Sequence, residues 1–148
     1  MKEPNPSFLK RLEEAAKGTF WEYVGGKLER LSDEEVHVTL QAKRHHLNGI
    51  GILNGGVHAS LLDNAMGIAA MAARPAEKVV TSALHLHYLA PVKLELIHVR
   101  AKVLHETRSM ITTEGRLTGE DGRLCAYATA SYRIFYSYSD KAGDRDGK

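Results

Sequence analysis

His46-Leu47-Asn48-Gly49-Ile50-Gly51-Ile52-Leu53-Asn54-Gly55-Gly56 runs directly into Val57-His58-Ala59-Ser60-Leu61-Leu62-Asp63-Asn64-Ala65-Met66-Gly67 and on through alanines to Arg74. Between Arg44 and Arg74, Asp63 is the only acidic residue, and there is no lysine or arginine. The later part of the stretch is long and apolar enough for a buried helix. Asn54 is a good N-cap residue for it. Charged side chains are rarely buried unless paired, so a lone carboxylate in such a helix needs a reason. Two readings stand side by side. In one, Asp63, Asn64 and His58 form a polar edge facing water. In the other, Asp63 is a catalytic carboxylate at the rim of an apolar pocket, where partial loss of water makes a carboxylate a better base.

The helix start bears on the same choice. The first backbone N–H groups of a helix have no intrahelical acceptor, and the helix dipole adds positive charge there. Glycines at 55 and 56 let a ligand come close to that backbone. An oxyanion forming on a carbonyl would be held there. Gly55 and Asp63 are eight residues apart, or about 12 Å along one helix. A single carbonyl carbon cannot sit near both. If both act on one substrate, they come from two copies of the chain, which predicts a homodimer with the site at its interface.

The pattern His46-x-Asn48-x-x-Gly51-x-x-Asn54-Gly55-Gly56, then Leu62-Asp63-x-Ala65, resembles the signature of the PaaI-like branch of the hotdog-fold acyl-CoA thioesterases. That signature runs H-x-N-x-x-G-x-x-H-G-G, followed by L-x-D or a close variant. Tyr88-Leu89-Ala90-Pro91 resembles the family's later Y/F-x-x-P. The resemblance extends from about Glu3 to Phe135. One departure is plain: Asn54 stands where most members have His.

The resemblance implies an α+β hotdog fold, an antiparallel sheet wrapped around one long helix, and hydrolysis of aryl- or medium-chain acyl-CoA thioesters without a cofactor. It implies Asp63 as general base or nucleophile and the Gly55 N–H, with that of Gly56, as oxyanion donor. Thr81 matches a Ser/Thr that helps place the water. Asn48 matches an asparagine that orients the water or the carboxylate. Asn54 would cap the helix or donate an amide hydrogen bond, without the charge an imidazolium brings. By position, Leu61, Met66, Tyr88 and Leu89 are expected to contact substrate. The catalytic unit would be a homodimer, with two dimers forming a homotetramer. A non-catalytic acyl-CoA binder is the alternative from another class. A hydratase using His58 and Asp63 is a third, disfavoured by the Asn48–Gly51–Gly55-Gly56 pattern.

The rest of the chain fits this frame. At 148 residues it reads as one domain over 1–138 with a charged, disordered tail over 139–148, able to bury about two-thirds of its unfolded surface. Apolar content of 43% and charged content of 26% are ordinary for a globular protein. A net charge of +2 and the lack of a basic cluster give no argument for nucleic acid. The segment 47–73 is interrupted by Gly, Asn, His and Asp, which argues against a membrane span. The first residues lead into no apolar signal segment, and Cys125 is the single cysteine. The expected location is cytoplasmic.

Ser7–Lys17 reads as a helix with a stripe of Phe8, Leu9, Leu12, Ala15 and Ala16. Phe20-Trp21-Glu22-Tyr23-Val24 is an aromatic run suited to packing. Residues 27–32 and 34–42 read as a hairpin. His45 and His46 are adjacent and make poor co-ligands. Val79–Leu89 is a strand with Leu84, Leu86 and Tyr88 on one face and Thr81, Ala83, His85 and His87 on the other. His85 and His87 share a face but lack a third ligand, so no metal site is expected. Strands follow at 96–104, 109–118 and 123–136. The Thr-rich 109–118 reads as lying near a sheet edge.

Overall fold

The computed structural model describes residues 5–135. The tail expected over 139–148 lies outside the described residues. The chain begins with α1 (Pro6–Ala16) and α2 (Phe20–Val24), then β1 (Lys27–Leu31) and β2 (Val36–Gln41). A single 3₁₀ turn, Arg44–His46, precedes α3 (Gly55–Ala73). Four strands complete it: β3 (Lys78–Tyr88), β4 (Leu96–Glu106), β5 (Met110–Thr118) and β6 (Leu124–Phe135).

Local chemistry sets the helix ends. The Asn5 side chain accepts the Ser7 N–H, and Pro6 occupies the first turn of α1, where a missing N–H is harmless. The α2 segment, read from sequence only as an aromatic run, is a short helix. Thr19 stands at its N-cap, the Glu22 carboxylate accepts the Gly18 N–H, and Gly25 ends it in the left-handed region at φ 89°. The T-x-x-E spacing is present without a closed capping box, because the Thr19 hydroxyl donates to the Ala16 carbonyl instead.

The six strands form one sheet in the order β1-β2-β4-β5-β6-β3, and every neighbouring pair is antiparallel. Helix α3 touches β2, β3, β4, β5 and β6. One helix reaches five strands only if the sheet curls around it. Alternation along each strand supplies the inner face: Val36, Val38, Ile97, Val99, Ile111, Leu117, Ala126 and Ala128 are all buried against α3. Gly115 lets the helix sit close. A Cβ there would stand 3.0 Å from Leu62 and 3.2 Å from Met66.

The Thr-rich strand is not at an edge. β5 lies between β4 and β6. Its polar residues are accounted for by the two faces of the sheet rather than by its margin. Glu114 and Arg116 stand on the outer face, where Glu114 accepts the Tyr127 hydroxyl and pairs with Lys102. Thr113 faces inward, fully buried, and donates its hydroxyl to the Ala130 carbonyl. The true edges are β1 and β3.

Candidate active site

The loop before α3 is built to hold the helix start in place. His46 is buried. Its Nδ1 accepts the Lys43 N–H at 2.9 Å and its Nε2 donates to the Val24 carbonyl at 2.7 Å. That arrangement fixes the neutral tautomer, and burial holds the imidazole below its ordinary pKa. The His46 carbonyl in turn accepts the Asn54 N–H. Asn48 folds the intervening loop, its Oδ1 accepting the N–H groups of Ile50 and Ile52 at 3.1 and 3.2 Å. Its side-chain oxygen is therefore occupied, and its amide N–H₂ is what it has left to offer a ligand.

Asn54 caps α3. Its Oδ1 accepts the Gly56 N–H at 2.7 Å. That bond removes Gly56 from the donors expected to meet an oxyanion. The Gly55 N–H has no acceptor among the described residues. The Gly55 carbonyl accepts the Tyr88 hydroxyl at 2.7 Å. The free N–H at the head of a nineteen-residue helix is thus that of Gly55.

Asp63 sits two turns further along, half-buried rather than enclosed. Its Oδ1 accepts the Thr81 hydroxyl at 2.9 Å and the Tyr132 hydroxyl at 2.8 Å, and Tyr132 also reaches the Asp63 carbonyl at 2.8 Å. Among the described residues, Oδ2 has no partner. The carboxylate is oriented through one oxygen and open at the other. Tyr132 is 2% exposed. Burial first, then the Asp63 charge, pushes its phenol above the ordinary tyrosine range, so it remains a proton donor to the carboxylate. Sequence reading did not single out Tyr132. Its place on the inner face, in line with Ala126, Ala128 and Ala130, was the available signal, because a buried phenol seeks a partner.

The position of Thr81 corrects the face expected for it. Thr81 pairs with Tyr132, whereas Ala83 pairs with Ser131, so Ser82 is an extra residue in β3. This β-bulge shifts the alternation by one and turns Thr81 inward, on the same face as Leu84, Leu86 and Tyr88. His85 and His87 stay exposed on the outer face, away from Asp63.

Two other expectations are corrected. Leu61 and Met66 are 0% exposed and belong to the core between α3 and the sheet. They cannot line an accessible pocket, because they project from the helix face that the sheet covers. Tyr88 and Leu89 are each 56% exposed and remain available at the end of β3. A cavity of about 1000 Å³ opens elsewhere, between α1, α2, β1 and the outer stripe of α3 at Asn64, Ile68 and Met71, with Leu9, Leu12 and Trp21 among its walls.

Comparisons with known proteins bear on the family and the fold. The sequence profile of the Thioesterase superfamily matches residues 50–126. The chain is 31% identical over 114 residues to human acyl-coenzyme A thioesterase 13, covering 74% of this chain and 81% of that protein. Among solved structures, it superposes on PaaI of E. coli, from the phenylacetic acid degradation operon, with a TM-score of 0.80 at 17% identity, covering 88% of this chain and 94% of PaaI. It superposes on zebrafish thioesterase superfamily member 2 with a TM-score of 0.79 at 22% identity, covering 91% of this chain and all of the other. Those two likenesses concern the fold, while the profile and the human relative concern descent. By its profile match and its human relative, the chain belongs to the thioesterase superfamily and is a thioester hydrolase of the hotdog fold.

Proposed function

We propose that the protein hydrolyses acyl-CoA thioesters with aryl or medium-chain acyl groups, releasing free acid and CoA. The observation that carries the reading is the Asp63 carboxylate, held at Oδ1 by Thr81 and Tyr132 and open at Oδ2. In this reading Asp63 takes a proton from water as the water oxygen adds to the thioester carbonyl. The carbonyl oxygen becomes an oxyanion on the Gly55 N–H. Collapse of the adduct breaks the C–S bond and expels the CoA thiolate. Direct attack by Asp63, through a mixed anhydride that water then opens, uses the same groups. Thr81 and Tyr132 aim the carboxylate. The free amides of Asn48 and Asn54 are further donors to water or substrate.

Gly55 and Asp63 lie on one helix, so the reading requires two copies of the chain. β3 supports it, being an eleven-residue edge strand that carries Thr81 near one end and Tyr88 at the other. Antiparallel pairing of β3 with its symmetry mate brings Tyr88 and Gly55 of one copy toward Thr81 and Asp63 of the other. Stacking of two such dimers gives the homotetramer. The cavity beside Asn64 suits the acyl group in size and in its largely apolar walls. Among the described residues no helix is long and apolar enough to cross a membrane, and the buried thiol of Cys125 suits a reducing cytoplasm.

A non-catalytic acyl-CoA binder is the second reading, favoured by one observation: Asn54 where the resemblance expects His. Free-thiol release from a panel of aryl- and alkyl-CoA thioesters, with wild type beside Asp63→Asn, separates them. Hydrolysis that falls about 10²-fold or more in the variant supports the proposal. Turnover untouched by the substitution removes Asp63 from the mechanism. Binding without turnover establishes the second reading.

A further inference from the structure

Tyr88 and His58 are engaged with the helix head in a way the hydrolysis reading does not use. Tyr88 is half-exposed on an edge strand, yet its hydroxyl is committed to the Gly55 carbonyl at 2.7 Å. The peptide joining Gly55 to Gly56 is therefore gripped at both ends. Tyr88 holds its carbonyl, and the Asn54 side chain holds its N–H. Gly55 leaves no room to spare, since a Cβ on it would stand 3.0 Å from the Tyr88 hydroxyl.

His58 stands behind this grip, one turn into α3. It is 4% exposed, and its ring meets the Tyr88 ring edge-on, with centroids 5.1 Å apart and planes at 88°. Its Nδ1 is buried without a hydrogen-bond partner among the described residues. An orphaned buried nitrogen destabilises a protein, and a leucine would fill the space without it. Edge-to-face contact with an aromatic ring is what an imidazole supplies there and an aliphatic side chain does not.

We propose that Tyr88 and His58 are positioning residues that anchor Gly55 through its own carbonyl, so that its backbone keeps its place at the thioester carbonyl; the Gly55 N–H itself lies in the adjoining Asn54–Gly55 peptide, whose carbonyl accepts the Val57 and His58 N–H groups. His58 fixes the plane of the Tyr88 ring, and Tyr88 fixes the carbonyl. This inference rests on the reading of Gly55 as oxyanion donor. A brace of this kind acts on the transition state, because the donor must be aimed where the oxyanion forms. Its loss lowers kcat and leaves KM nearly unchanged.

The test compares steady-state hydrolysis of one good acyl-CoA substrate by Tyr88→Phe, His58→Ala and His58→Phe. Tyr88→Phe keeps the ring and removes only the hydroxyl, and should lower kcat about ten-fold with KM within about two-fold. His58→Ala should lower kcat in the same way, and His58→Phe, which retains a ring edge, should recover most of that loss. An unchanged kcat in Tyr88→Phe, or a change confined to KM, overturns the brace. If His58→Ala does not fold, Tyr88→Phe decides alone. The donor reading is checked separately by Gly55→Pro against Gly55→Ala. Equal activity of those two rejects the donor and the brace together, whereas a proline-specific loss beside a silent Tyr88→Phe rejects the brace alone.

Discussion

Replacing Gly55 by proline and by alanine tests the N–H at the helix head, because both add a Cβ and only proline exchanges the hydrogen for a ring carbon. Both substitutions add a Cβ that meets the Tyr88 hydroxyl at 3.0 Å and its ring carbons at 3.3 and 3.5 Å. Tyr88 is exposed enough to swing away, so the shared penalty is one lost hydrogen bond, about 0.5–1.5 kcal/mol. Proline is tolerated at this position for two reasons. Gly55 is the first residue of α3, where proline is favoured. Asn54 before it has φ −59° and ψ 136°, the extended backbone that a residue preceding proline adopts. Thermal midpoints of the two variants should therefore lie within a few degrees of each other. Only proline removes the N–H. Loss of one oxyanion donor costs about 2.7–4 kcal/mol of transition-state stabilisation, or about 10²–10³ in kcat. The expected kcat order is wild type, then alanine about ten-fold lower, then proline a further 10²-fold or more below alanine. Thiol release at saturating substrate measures it, and thermal unfolding verifies that both variants are folded. Equal kcat in the two variants would refute the donor role of Gly55.

Tyr132→Phe removes a buried donor to the Asp63 carboxylate and should destabilise the fold by about 1.5–3 kcal/mol, the range for hydrogen bonds to charged groups; an unchanged denaturant midpoint would show that Asp63 does not depend on that bond. Burial holds His58 down to about pKa 4, against an ordinary value near 6.5. The unfolded chain therefore binds a proton between those limits that the folded chain refuses. Stability at pH 7 should fall as pH drops from about 6.5 toward 4, by roughly 3 kcal/mol from this residue. His58→Leu should flatten that limb in denaturant titrations at successive pH values, and an identical slope in both proteins would contradict the buried neutral imidazole.

Parts of this molecule are legible in its sequence and parts are not, and the divisions have physical causes. α3 was legible because cap, apolar run and lone charge are all local: Asn54, then Val57 to Ala73, with Asp63 the only acid. β2 was legible because Val36, Val38 and Leu40 alternate with His37, Thr39 and Gln41 over one solvated face and one buried face. Thr81 was assigned to the wrong face because strand alternation assumes a regular ladder, and a single extra residue reverses it. Composition does not announce such a residue. The edge reading of β5 failed for a related reason: a polar outer face and a sheet margin leave the same mark on sequence. The bond between Tyr132 and Asp63 spans 69 residues, a separation that no local pattern encodes. The burial of Leu61 and Met66 is not legible in sequence, because position along a helix does not tell which stripe the rest of the fold covers. Two local signals do stand in the sequence: the place of Tyr132 in line with Ala126, Ala128 and Ala130, and the pair Glu22 and Gly25 at the ends of α2.

The extra residue in β3 has a consequence for strand register. In the structure Ser82 stands out of the ladder and Thr81 faces Asp63. Were the strand to run without its bulge, Ala83 would stay outward and Ser82 would turn inward in place of Thr81. Either frame therefore presents a hydroxyl to the carboxylate. The tandem of Thr81 and Ser82 thus keeps a hydroxyl-bearing residue at the inner-face position opposite Tyr132 in both registers.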